Sequence, residues 1–134
     1  MSHPRTLALA AAALAVPLAL TACSGNRADI DAACGDIQSR MSAVDLAAQG
    51  IEQDILVDDI PYQDQYYTEL EEHLFDVEFL EEAARGSVQR DATERADAVN
   101  EVLIQLDEGT HDGLADALDW EAETQDLILE ACGY

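Results

Sequence analysis

Residues 29–56, DIDAACGDIQSRMSAVDLAAQGIEQDIL, carry the pattern on which the fold turns. Their stripe is Ile30, Cys34, Ile37, Met41, Val44, Ala48, Ile51 and Ile55, spaced alternately four and three apart. A mean step of about 3.5 residues keeps these positions along one side of a helix, the seam that packs against partner helices. A strand would need alternation with period two, and the stretch shows none. The spacing predicts a helix over about Asp29–Leu56, weakened near its end by Gly50.

Three more segments follow the same rule. Asp58-Asp59-Ile60-Pro61 reads as a turn, with Pro61 in the first turn of a second helix that reaches about Arg85. Tyr66, Tyr67, Leu70, Leu74, Val77, Leu80 and Ala84 fall on one side of it, and Gly86 stops it. Ser87 is placed to cap a third helix over about Val88–Glu108, with stripe Val88, Ala92, Val99, Val102, Leu103 and Leu106. Gly109 ends that one. A fourth, about Asp112–Cys132, carries Leu114, Ala117, Leu118, Ile128 and Cys132 on one face and Asp116, Asp119, Glu123, Asp126 and Glu130 on the other. Short turns between helices of similar length imply antiparallel neighbours, so the fold class is all-α, an up-down-up-down antiparallel four-helix bundle over residues 29–134.

The N-terminus is of another kind. Met1–Thr6 is polar and carries Arg5, and Leu7–Leu20 is almost wholly Ala, Leu and Val, broken by Pro17. Such a run is too short to span a bilayer, which takes about 20 residues, and fits the centre of a secretory signal peptide. It ends in Leu20-Thr21-Ala22-Cys23, which resembles the lipobox of bacterial lipoproteins. The resemblance covers Met1–Ser24 only. It implies that a diacylglycerol joins the Cys23 sulfur, that residues 1–22 are cut away, and that further acylation, with palmitate for example, completes the anchor. One acyl chain alone binds a membrane only marginally, and two or three hold firmly. The implied organisation is a leader (1–22), a lipidated tether (23–28) and the bundle (29–134). The implied address is the extracytoplasmic face of the cell membrane.

If Cys23 is lipidated, Cys34 and Cys132 remain as an even pair in a compartment where disulfides persist. An up-down-up-down bundle puts the start of helix one and the end of helix four at the same end, so the two cysteines meet; three helices would part them. The alternative is two buried thiols. The tether and the Gly86 turn belong to this same end, and the Pro61 and Gly109 turns point away from the membrane.

Charge narrows the partners. The chain has no lysine, and its six arginines face 29 acidic residues for a net charge of −23. Nucleic acid is excluded by repulsion, and anionic lipid headgroups repel the domain likewise, so it stands off the membrane on its tether. Cations, basic envelope proteins and basic peptides are the candidates, with weak, unspecific binding of divalent cations expected of any surface this acidic.

No chemistry-bearing constellation is complete. The bundle has two histidines, His73 and His111, and lacks the paired Glu-x-x-His motifs of di-metal bundles: Leu70 precedes His73 at that spacing, and Glu108 precedes His111 across a Gly109 turn. Glu69, His73 and Asp76 share part of a face, a trio common by chance. There is no nucleophile–base pair and no phosphate loop, so neither metal, cofactor nor catalysis is expected. Polar residues inside the stripes, Glu81, Arg95, Glu121 and Gln125 with Arg40 at the border, predict an internal Arg–Glu layer that sets helix register or offers a polar ligand site. Phe75 and Phe79, one turn apart and off the stripe among Glu71, Glu72 and Glu82, are the candidate partner-binding patch. The leading functional expectation is a non-enzymatic interaction or structural module of the cell envelope; the alternative is an extracytoplasmic binder of a small ligand or cation.

Overall fold

The computed structural model describes residues 26–60 and 64–134. The leader, Cys23, the start of the tether and Pro61 lie outside the described residues. Four helices follow in order: α1 Arg27–Ile51, continued by a π-helical segment Glu52–Val57, then α2 Asp64–Ala83, α3 Gly86–Glu108 and α4 His111–Ala131. Among the described residues there is no strand. Successive helices pack along their lengths, α1 on α2, α2 on α3 and α3 on α4, and the α1–α4 seam is the most lightly packed side. The bundle is the up-down-up-down one that the stripes predict.

Cys34 and Cys132 form a disulfide, with Cα atoms 5.5 Å apart. It latches the α1–α4 seam at one end. At that end the Asn26 N–H also donates to the Ala83 carbonyl at 3.1 Å, joining the start of α1 to the end of α2. At the other end the π-helical segment packs on α4.

The ends of the helices differ from expectation in three places. First, α3 begins at Gly86, with Arg85 extended at the cap and no side-chain cap, so Ser87 lies inside the helix. The turn can be this tight because Gly86 takes φ +67°, a conformation that costs glycine little. The Arg85 guanidinium covers the end of α2, donating to the carbonyls of Glu82 and Ala84 at 3.0 and 2.6 Å. Second, α4 begins one residue early because Thr110 caps it, its Oγ1 accepting from the Gly113 N–H at 3.1 Å. Third, the end of the first helix widens to π geometry from Glu52. There Gly50 serves close approach: a Cβ on it would meet the Tyr66 ring at 2.6 Å. Tyr66 in turn donates its hydroxyl to Asp54 at 2.5 Å.

The core has two apolar layers. The one near the disulfide is built on Cys34, Ile37, Met41, Val77, Leu80 and Ile128. The one at the far end is built on Val44, Ile51, Leu70, Val99, Val102 and Leu114. In α1 Ala47 is buried where the stripe has Ala48, which is half-buried, and Ile51 is again in the core.

Candidate functional site

Between the two apolar layers lies a polar one. The helices present their seams at alternating steps of three and four: Leu70, His73, Val77 and Leu80 on α2, with Ala84 just past its end; Ala92, Arg95, Val99 and Val102 on α3; Leu114, Ala117, Glu121, Thr124 and Ile128 on α4. His73, Arg95, Glu121 and Thr124 therefore point inward for the same geometric reason as the aliphatic residues around them.

Arg95 is fully buried, and all three nitrogens of its guanidinium donate. Its Nε donates to His73 Nε2 at 3.1 Å, Nη1 to the Glu121 carbonyl and to Thr124 Oγ1, and Nη2 to Glu121 Oε1 at 2.7 Å. Burial pulls the Arg95 pKa down, and the Glu121 carboxylate opposes it. His73 is pushed down to about 3, by burial first and then by the positive charges of Arg95 and Arg40. The imidazole is neutral, and because Nε2 accepts, Nδ1 carries the proton. Nδ1 is buried with no hydrogen-bond partner.

The predicted layer is thus distributed differently over its five residues. Arg95 and Glu121 meet. Arg40 lies at the α1–α2 edge, ion-paired with Asp76 at 2.9 Å and with Glu72; the bond to Asp76, foremost, raises its pKa. Glu81 is half-buried and its carbonyl accepts from Gln89 at 3.1 Å. Gln125 is half-buried and lines a cleft of about 240 Å³ along the α1–α4 seam, with Asp45, Glu52 and Asp119 on its walls. His73 and Thr124 take the places beside Arg95. Choosing Leu74 over His73 as the seam residue of α2 hides this, although both satisfy a three-or-four step from Leu70.

The second feature is on the surface. A groove of about 350 Å³ runs between α2 and α3, lined by Tyr67, Glu71, Leu74, Phe75 and Glu78 on one side and Asn100, Leu103, Ile104, Asp107 and Glu108 on the other. Phe75 is 70% exposed and Ile104 is 40% exposed. The two side chains put an aromatic and an aliphatic group in solvent on opposite walls of the groove. Asp107, first, raises the pKa of Tyr67, a sign of how negative the groove is.

Of the five residues expected in the patch, Phe75 and Glu71 lie in this groove. Phe79, 40% exposed, and Glu82 stand on α2 outside it. Glu72 is on another side of α2, paired with Arg40. The α3 wall was not foreseen. Its signal is the series Asn100, Ile104, Asp107 and Glu108, at four, seven and eight from the first, which is one face of a helix turned away from the Val99–Val102 seam.

Among the described residues no group of three or more His, Cys, Asp or Glu is placed to hold a metal ion, and no helix is long and apolar enough to cross a membrane. Comparison of the chain with protein-family models, with curated proteins and with solved structures finds no match.

Proposed function

We propose that this protein is a non-enzymatic, lipid-anchored docking module of the cell envelope, which holds another protein in the α2–α3 groove. The observation that carries the reading is Phe75, 70% exposed on the wall of a groove that also offers Ile104 and carboxylates from both helices. Buried aromatic anchors surrounded by polar rims dominate binding energy at protein interfaces.

The anchor rests on Leu20-Thr21-Ala22-Cys23, and the stand-off of the domain on the acidity of the chain. Lipid holds the N-terminus to the membrane while the domain is repelled by anionic headgroups. Phe75 is nine residues from Ala84, which puts it about 13 Å along the helix from the tethered end. The groove extends farther still, toward Tyr67 and Glu108, in reach of a partner that does not touch the bilayer. The α1–α4 cleft supports no rival reading of equal weight, because its buried carboxylate, Glu121, is already paired with Arg95.

Affinity capture from native envelope extract tests the docking, with the mature chain and its Phe75→Ser variant as baits. A protein retained by the first and lost by the second is the expected result; identical captures would remove the groove as the site. The anchor is tested separately by Cys23→Ser, which should release the protein from the membrane fraction and abolish the lipid mass on the N-terminal peptide. Retention without lipid would refute it.

A further inference from the structure

The charge of the groove is not balanced by the described residues. Glu71 and Glu78 on α2 and Asp107 and Glu108 on α3 have no salt-bridge partner among the described residues. There is no lysine to supply one. Arg95 is committed to Glu121, Arg40 to Asp76 and Glu72, and Arg85 to the carbonyls that end α2; Arg90 stands beside Asp91 at 4.0 Å, and Arg27 is at the start of α1. Among the described residues no arginine lines this groove or pairs with its carboxylates.

Shape narrows the form of that molecule. The groove lies between two antiparallel helices and is bounded by side-chain ridges, the surface into which a third helix packs. Tyr67 to Glu78 on its α2 wall covers about 16 Å, three turns of such an occupant. A strand has nothing to add to, since there is no sheet edge among the described residues. A second copy of this chain would set acid against acid, and an anionic membrane would do the same.

Resting on the docking reading above, we infer that the groove takes a basic amphipathic α-helix of about three turns from a partner protein. Its apolar residues, at i, i+3, i+4 and i+7, lie on Phe75 and Ile104, and its Lys or Arg residues reach Glu71 and Glu78 on one flank and Asp107 and Glu108 on the other.

The test uses the lipidated protein in zwitterionic nanodiscs, with empty discs as the blank, and isotope-labelled Ile104 methyl as the local probe. Four peptides of equal length are titrated: a Leu/Lys helix with the 3–4 period, a scramble of it, a Leu/Lys peptide alternating with period two, and a Leu/Glu helix. The basic helix should shift Ile104, bind at least about tenfold more tightly than the other three, and weaken steeply as salt rises. Phe75→Ser and the pair Glu71→Gln/Glu78→Gln should each weaken it about tenfold or more, with unchanged circular dichroism and melting. Equal binding of the scramble reduces the effect to bulk acidity and overturns the inference. Tighter binding of the period-two peptide makes the occupant extended, and equal binding of the acidic helix removes the charge argument; either also overturns it. So does concentration-dependent dimerisation that Phe75→Ser abolishes. If no peptide binds while the envelope capture still depends on Phe75, the docking reading survives and the basic helix does not. If neither depends on Phe75, both fall.

Discussion

His73 and Phe75 stand two residues apart on α2 and have opposite environments. The histidine is fully buried and the phenylalanine is 70% exposed. Hydropathy alone would exchange them. Two residues turn a helix by about 200°, so one of the pair faces the seam and the other the solvent whatever their chemistry. The position on the helix decides burial, and the residue type decides what burial or exposure then costs. At His73 the cost is a neutral imidazole with an orphaned N–H. At Phe75 it is apolar area left in water, beside carboxylates with no ion-pair partner among the described residues. An inward polar residue and an outward apolar one both depart from the simplest packing, and they call for different explanations. The first is internal: His73 accepts the Nε–H of Arg95. The second has no internal explanation, which is why the groove carries the functional proposal.

If the interior works as a latched and paired unit, breaking it should cost stability and leave the groove's chemistry alone. The largest effect is expected from the latch. Cys34→Ser with Cys132→Ser removes a bridge that closes a sequence separation of 98 residues, worth about 4–5 kcal/mol in the chain-entropy model. Urea denaturation of the oxidised protein and the double variant gives the difference directly. A loss near zero would mean that the seam is held without the bridge.

Next is the polar layer. Arg95→Met leaves Glu121 buried without its counter-charge and should destabilise by about 3–5 kcal/mol. Arg95→Met with Glu121→Leu should recover most of that, because the isolated buried charge is gone. A double variant as unstable as the single one would show that the layer stabilises through more than its charge pair, by way of His73 and Thr124.

Acid provides the third test. The His73 pKa is about 3 in the fold, against an ordinary value of 6.5. Between those two values the unfolded chain binds the proton that the folded one refuses. Stability is therefore fully present above pH 6.5 and falls as the pH drops toward 3, with a slope that approaches about 1.4 kcal/mol per pH unit. His73→Gln keeps an acceptor for Arg95 and does not titrate. Its acid-side slope should be shallower than that of the unaltered protein; equal slopes in denaturation curves taken from pH 7 to 4 would place the sensitivity elsewhere.

The uneven legibility of the two regions has the same root. The alternation of four and three in residues 29–56 reads directly as a seam, and four such seams joined by short turns leave little choice of fold. The meeting of Cys34 and Cys132 follows from helix parity once the helices are counted. Arg95 and Glu121 were visible for the same reason, as charges standing at seam positions. His73 was not, because Leu74 competes for the same turn and hydropathy favours the leucine. The Thr110 cap was masked by Asp112, an equally good starting residue two positions on. The α3 wall of the groove needed the spatial pairing of α2 with α3, since a stripe read along one helix says nothing of what lies across from it. Glu72 shows the converse. It adjoins Glu71 in sequence, yet it turns to Arg40 on α1 and leaves the groove to its neighbour.

The smallest expected effect is the sharpest. Phe75→Ser removes a ring that is 70% exposed, so the fold loses little by it, and the change in unfolding free energy should stay within about 0.5 kcal/mol of zero. Ile104→Ser, at 40% exposure across the groove, should cost somewhat more and still fall far short of Arg95→Met. If instead Phe75→Ser destabilises by 2 kcal/mol or so, on the scale of a core truncation, then the ring is packing on α3 in solution and the groove is closed. The contrast between His73 and Phe75 would collapse, since both would serve the interior. Unchanged melting together with lost capture is the opposite result. It assigns Phe75 a role that folding does not require, and a large apolar side chain held in water among carboxylates at no benefit to its own fold is the signature of a surface kept for a partner.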